Sequence, residues 1–458
     1  MHAISRRAAT ISGAVALAVA LAFAPLRAQA APADRLIDGS LKDSAAWNRL
    51  AELVDTFGNR PVGSVSLERA IDWIVAQMKK DGLDNVHTEP VTVPHWVRGR
   101  ESATLLAPHR APLHMLGLGR SVGTPTGGIT APVLVVNDFA DLHAHAAQAK
   151  GRIVLFDYRF DPAKPPFDAY GEAVIYRYSA ADSAAAYGAV AALVRSVTSH
   201  SLGTPHTGSM GYGDTTAGAH RIPAAAITLE DADMLHRIQN RKQEIRITLS
   251  MDAHMLPDAP SRNVIAEVRG TERPDEIIVL GGHIDSWDVG QGAMDDGGGI
   301  VSAWEALRLI KQLGLKPRRT IRVVMWVNEE MGGRGADAYR DAHRAELPKT
   351  KFALESDNGA FTPKGIRLTG PDSLLPVVKQ LIAPLARIGV TEAKMGEPEA
   401  DVAPLAAEGV PALSLDIDAS RYFWYHHTDA DMMSALDPHE VALCVATMGV
   451  VVLQAANR

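Results

Sequence analysis

Cysteine is nearly absent from this chain: Cys444 is the only one, so no intramolecular disulfide can staple the fold. It lies inside Val441-Ala442-Leu443-Cys444-Val445, where it reads as a small buried hydrophobe rather than a catalytic thiol. Aromatic residues are scarce at 5%, while alanine is abundant, so small and aliphatic side chains must supply most of the core. Cationic charge is in deficit: 46 Lys and Arg face 53 Asp and Glu, and the net charge of −7 leaves no basic footprint for nucleic acid. Near the amino terminus the apolar run from Ile11 to Leu21 is shorter than the ~20 residues that a membrane-spanning helix needs. Arg6-Arg7 precede that run and Ala28-Gln29-Ala30 follow it, the pattern of a secretory signal peptide over residues 1–30. Its removal takes away Arg6, Arg7 and Arg27 and no acid, leaving a more acidic mature chain with no membrane segment. The expected location is outside the cytoplasm, periplasmic or secreted.

What is present is ample apolar content, 47%, which supports a packed core and argues against disorder. A length of 458 residues predicts two domains. Apolar spacing predicts helices over Ala45 to Phe57 and Leu67 to Lys80, and alternation predicts a strand over Val86 to Val93. From about Arg100, Pro and Gly punctuate short strand-like runs, among them Val133–Val136, Ile153–Phe156 and Ala224–Ile227, with a small-residue helix over Ala180 to Ala192. After Pro260 strands and helices alternate. Strands are expected at Asn263–Val268, Ile277–Leu280, Thr320–Val327, Phe352–Glu355 and Val410–Leu415. Helices are expected at Gly298–Gln312, Gly335–Ala345, Leu374–Ile388 and Pro438–Leu453. The pattern is that of an α/β fold, a mainly parallel sheet with helices on both faces, formed by residues 31–99 and 256–458. Residues 100–255 read as an inserted β-rich domain.

The polar residues that matter follow the apolar strands. Gly281-Gly282-His283-Ile284-Asp285 comes after Ile277–Leu280, so His283 sits just past a strand's carboxyl end, where ligands collect in open α/β sheets. Asp295-Asp296, Asn328-Glu329-Glu330, Glu355-Ser356-Asp357 and Tyr425-His426-His427-Thr428 supply further donors. Taken singly these are ordinary surface acids and histidines. Gathered at one sheet edge, the carboxylates would repel one another unless cations neutralise them. His283, Asp295, Glu330, Asp357 and His427 offer two imidazoles and three carboxylates. With one bridging hydroxide, they balance two divalent cations. Nitrogen and oxygen donors without thiolate suit catalytic zinc, with cobalt or manganese as possible substitutes. An aspartate at a helix start can offer one oxygen to each metal. Glu329 is then the spare acid, placed to take and return a proton. Asp285 is placed to receive the second N–H of His283 and so orient the ring. The residues leave His426 and His427 as alternatives. Tyr422 or Tyr425 could assist an oxyanion.

In order, Asn263-Val264-Ile265-Ala266-Glu267, His283-x-Asp285, Asp295-Asp296-Gly297, Glu329-Glu330, Asp357 and His427-Thr428 resemble the co-catalytic di-zinc aminopeptidase and carboxypeptidase superfamily. The longer stretches from Gly281 to Gly299, Glu355 to Phe361 and His426 to Asp431 resemble its carboxypeptidase Q group, and the likeness spans nearly the whole mature chain. The resemblance implies a phosphorylase/hydrolase-like catalytic domain, and a protease-associated-type domain for residues 100–255. It implies two Zn2+ per chain: His283 and Asp357 on one, Glu330 and His427 on the other, Asp295 bridging, and Glu329 as general base. His427 is preferred over His426 because the family's ligand directly precedes Thr or Ser. A cis peptide after Asp295 is implied, as are a homodimer and hydrolysis of short peptides, dipeptides above all. Asn328 is a departure, since relatives often carry a small residue there. Thr204-Pro205-His206-Thr207-Gly208 matches a group element in which His206 would reach the substrate; by itself it reads as a turn. The alternatives are a general aminopeptidase on longer peptides and, with every ligand position filled, less readily a non-catalytic binding protein on the same fold.

Overall fold

The computed structural model describes residues 30–213 and 220–458. The expected signal peptide lies outside these, apart from its last residue. Strong local signals set the elements where they are expected. Helix Val65–Lys80 starts at Ser64, whose hydroxyl accepts the N–H of Leu67 at 3.1 Å, and ends in Lys79 and Lys80, which complement the helix dipole. Helix Pro438–Ala456 starts at Asp437, whose carboxylate accepts the N–H groups of His439 and Glu440. Helices Ala45–Phe57 and Gly298–Gln312 have the bounds the apolar spacing predicts.

Two eight-stranded sheets organise the chain. The first runs in the order Asp84–Val97, His254–Val268, Arg319–Trp326, Arg273–His283, Thr350–Glu355, Ala412–Ile417, Pro363–Thr369, Glu392–Met395. Its apolar residues divide between two faces, as the period of a strand requires. Ile278 and Leu280 join the core beneath helices Pro32–Lys42, Ala45–Phe57, Gly298–Gln312 and Pro438–Ala456. Ile277 and Val279 pack with Ala336, Tyr339 and Leu405 of helices Arg334–Ala342 and Ala403–Ala407 on the other face. Helix Pro438–Ala456 is long and apolar enough to cross a membrane, yet it is mostly buried, as a core helix is.

The sheet is mixed, with four parallel and three antiparallel pairings, where a mainly parallel one is expected from the sequence. Its three central pairings are parallel, but both flanks carry antiparallel pairs. One cause lies in the connectivity. The chain leaves the sheet after Asp84–Val97 and returns as His254–Val268 beside it, so the returning strand runs the opposite way. Strands Pro363–Thr369 and Glu392–Met395, which carry no clean alternation, fill the far edge.

The second sheet is built from the segments between Glu101 and Met251. It is also mixed. Ile129–Val136, Ile153–Phe156, Ala191–Arg195 and Ala224–Ile227 pair in parallel. The helix here is Pro166–Ala185, earlier than the alanine run suggested, and residues 191–192 of that run begin a strand. Alanine favours helix, but Ala191-Ala192-Leu193-Val194 is buried between neighbouring strands, and tertiary pairing overrides the local preference.

Cys444 has no solvent exposure, and its thiol donates to the carbonyl of Phe361 at 3.2 Å. Burial, with Glu440 nearby, pushes the thiol far above its ordinary pKa. A disulfide exchange reagent should therefore leave the native protein unlabelled over hours and titrate one thiol promptly in denaturant. Rapid labelling of the native state would contradict this packing.

Candidate active site

Four strand ends of the first sheet and one helix start deliver the polar residues. His283 closes strand Arg273–His283, Asn328-Glu329-Glu330 follow Arg319–Trp326, and Asp357 follows Thr350–Glu355. His427 lies beyond Ala412–Ile417, and Asp295 precedes helix Gly298–Gln312. The five residues named from the sequence meet. His283 Nε2 is 3.2 Å from Asp295 Oδ1 and 3.1 Å from Asp357 Oδ1. His427 Nε2 is 3.3 Å from Asp295 Oδ2 and 3.1 Å from Glu330 Oε2. Asp295 thus turns one oxygen to each histidine. Together with Glu329, all of them except His283 line a cavity of about 440 Å³.

Main-chain amides hold this arrangement. Asp285 accepts the imidazole N–H of His283 through its backbone carbonyl, at 3.0 Å from Nδ1. Its carboxylate serves another purpose: it accepts the N–H groups of Asn328, Glu329 and Glu330 at 2.6, 3.2 and 3.3 Å. One residue therefore orients a histidine and folds the turn that carries both glutamates. Asn328 adopts a left-handed φ of 72°, which asparagine tolerates well, and its side chain accepts the N–H of Arg334. Asp296 accepts the N–H groups of His283 and Gly299 at 3.1 Å each. The glycines of the motif make that close approach feasible: a Cβ on Gly282 or Gly299 would lie 2.1 or 2.2 Å from an Asp296 oxygen. The Asp295-Asp296 peptide is cis, as the resemblance implied. Asp431 closes the His427-Thr428-x-x-Asp431 pattern of the resemblance, whereas Arg60 carries no sequence signal. Asp431 accepts the N–H groups of Met294 and Asp295 at 2.7 and 3.2 Å. Arg60 is fully buried and donates to the carbonyls of Ile284, Gln291 and Gly292 at 2.9 Å each.

The electrostatics are those of crowded acids. Burial, followed by nearby carboxylates, pushes Glu329 and Glu330 well above the usual carboxylate range. Burial and then Asp295 push Asp431 up to about 7. Burial pulls His283 down, but Asp357 and Asp295 outweigh it and hold it well above its ordinary value. Cations are the natural counter-charge. The donor set fits them. Asp295 Oδ2 and Glu330 Oε1 are buried and accept no hydrogen bond, while every Asp296 and Asp285 oxygen has an N–H donor. The donor atoms of His283, Asp295 and Glu330 all lie within 4.8 Å of one another, as do those of Asp295, His426 and His427. His427 holds a left-handed φ of 61°, a strain on the order of 1–3 kcal/mol of the kind found at functional sites.

The residues left open by the sequence separate here. His426 Nε2 stands 3.8 Å from Asp295 Oδ2, and its ring stacks on that of His427. Burial, then His427, holds it neutral, well below its ordinary pKa. Tyr422 lines the cavity, whereas Tyr425 does not. His206 is not on the cavity wall either. It is buried, burial drives its pKa down to about 3, and its N–H donates to Ser196. Its neighbour Thr207 touches the site instead: the Thr207 N–H donates to the carbonyl of His427 at 3.0 Å, and its own carbonyl lies 3.3 Å from His427 Nδ1.

The sequence profile of peptidase family M28 matches residues 263–452, the span that contributes all five clustered residues. Carboxypeptidase Q of Xenopus laevis is 46% identical over 406 residues, covering 89% of this chain and 84% of the relative. A crystal structure of a peptidase M28 precursor from Shewanella amazonensis superposes with a TM-score of 0.89 at 36% identity, covering 93% of this chain and 96% of that one. A zinc aminopeptidase from Bacillus subtilis shares the fold at a TM-score of 0.66 and 20% identity, covering 90% and 95%.

Replacing Asp285 by Asn would turn an amide N–H toward the N–H of Glu330 and loosen the turn that carries Glu329 and Glu330. Metal affinity should fall roughly 10- to 100-fold, the usual cost of losing an outer-shell partner, as read by chelator competition. Wild-type affinity in the variant would contradict this assignment.

Proposed function

The chain belongs to peptidase family M28, and we propose that within it this protein is an exported di-zinc exopeptidase acting on short peptides, dipeptides above all. The observation that supports this reading is the convergence of His283, Asp295, Glu330, Asp357 and His427, all but His283 lining one cavity with Glu329. In this reading His283 and Asp357 hold one cation, Glu330 and His427 the other, and Asp295 serves both. Two divalent cations held there would supply Lewis acidity to a scissile carbonyl and to a water. The chain's own residues do the rest. The Glu329 side chain faces the cavity and makes no hydrogen bond among the described residues, so it is free to take the water's proton and pass it to the leaving amine. Tyr422 stands on the wall with its hydroxyl 3.4 Å from the carbonyl of Asp357, within reach of a developing oxyanion. Asp285, Asp296 and Asp431 keep the donors aimed through backbone amides.

Substrate size follows from the walls. A cavity of about 440 Å³ suits a small ligand. Much of its lining, including Phe167, Tyr170, Arg177 and Tyr178, comes from the 100–255 region, which we read as a protease-associated-type insert that closes over the site. An open groove for longer chains would lack that cover.

Glu329→Gln should retain both metals by elemental analysis and lose roughly 10²- to 10⁴-fold in kcat, the range for a removed general base. Full turnover in this variant would refute the base. In a peptide panel, dipeptides should be cleaved faster than pentapeptides, and a chelator should abolish both activities. Equal rates on the two lengths would favour a general aminopeptidase instead.

A further inference from the structure

The clustered acids and Glu329 form one wall of the cavity, and the other wall carries the opposite charge. The acids of the lining, Asp295, Glu329, Glu330, Asp357 and Glu399, come from the segments that follow strands of the first sheet or precede its helix. Its two cations, Arg120 and Arg177, come from the 100–255 region. Arg120 is exposed, but Arg177 is only 8% exposed. An arginine this buried ordinarily has an acidic partner. Among the described residues no carboxylate lies within ion-pair distance of Arg177, and its Nε has no hydrogen-bond partner.

What surrounds the guanidinium positions it without satisfying it. Its Cζ lies 5.6 Å from the Tyr170 ring centroid. On another side it lies against Gly208, where a Cβ would come within 2.3 Å of that same Cζ, so only glycine leaves the guanidinium its place. Nη1 is 3.5 Å from the carbonyl of Thr207 and 3.4 Å from His427 Nδ1. In the reading above His427 Nε2 is kept for a cation, and Nδ1 would then carry the proton and donate to Thr207. On that tautomer Nη1 meets a donor there and shares the Thr207 carbonyl with it, and the Tyr170 hydroxyl is the guanidinium's other hydrogen-bond partner. A planar fork of N–H groups, fixed in place beside the reacting centre and short of acceptors, is the complement of a carboxylate.

We propose that Arg177 is the subsite for the free α-carboxylate of the substrate, so that the cavity anchors the peptide by its carboxyl terminus. This rests on the peptidase reading above and adds which end is held. The binding is noncovalent, and Arg120, at the mouth of the cavity, adds a second cation on the approach of an anionic ligand.

The test compares one dipeptide with its carboxyl-terminal amide, using metal-loaded wild type, Arg177→Gln and Arg177→Lys, with metal content measured for each. Wild type should favour the free acid, mainly through KM. R177Q should raise KM for the free acid roughly 10- to 100-fold, the range for a lost hydrogen-bonded charge pair, and this loss should be at least tenfold heavier than the loss on the amide. R177K, which keeps the charge but not the fork, should fall between the two. Wild type cleaving acid and amide equally well would overturn the carboxylate subsite while leaving the peptidase intact, whether or not the variants fold. Loss of metal from R177Q with equal losses on both substrates would also overturn it, by showing that Arg177 acts through His427. Wild type inert toward every peptide in the presence of metal would instead defeat the peptidase reading itself.

Discussion

Carboxylates can be buried beside one another only if each oxygen meets a donor or a cation, and this constraint organises the molecule. Asp285, Asp296 and Asp431 meet it with backbone N–H groups drawn from the 328–330 turn, from His283 and Gly299, and from Met294 and Asp295. Arg60, itself buried, ties down the carbonyls of the 284–292 loop between them. Among the described residues, buried carboxylate oxygens without a donor remain on Asp295 and Glu330 at the centre, and on Asp401 and Glu89 away from the cavity wall. The outer acids are neutralised by the fold, so that the inner ones are kept for ligands.

Much of this could be read in the sequence because strand ends are local features. His283, Glu329, Glu330 and Asp357 each follow an unbroken apolar run, and the run alone puts them at one sheet edge. The glycines around His283 and Asp296 also carry a local signal, and their reason is now physical: the Asp296 carboxylate occupies the space their side chains would fill. The sheet's direction was less legible. Whether a returning strand runs parallel or antiparallel depends on how the intervening 100–255 region folds, which no alternation pattern encodes. Arg60 and Arg177 carry no local signal for a similar reason. Each works through contacts with segments distant in the chain, and neither sits in a run whose texture marks it out. At Asp285 the backbone carbonyl performs the task expected of the side chain, and the carboxylate serves the turn opposite.

The 100–255 region reaches the site by more than its wall. The Thr207 main chain brackets His427 at both its carbonyl and its ring, and the Thr207 hydroxyl is itself fixed to the carbonyl of Gly117 at 2.7 Å. Trp287, in the loop after His283, lies within 5.4 Å of the His427 ring and packs so closely on Gly119 that a Cβ there would meet the indole at 2.1 Å. The left-handed backbone of His427 is thus held from a segment outside the sheet that supplies the other donors. A histidine so constrained arrives at the centre with its tautomer and direction already chosen.

The lone, sealed thiol has a consequence for how such a chain matures. With no partner sulfur within the chain and none reachable from outside, folding needs neither an oxidase to join cysteines nor an isomerase to correct them. The native state is equally attainable on either side of a membrane that separates reducing from oxidising surroundings, and what limits it is collapse of an alanine- and valine-rich interior.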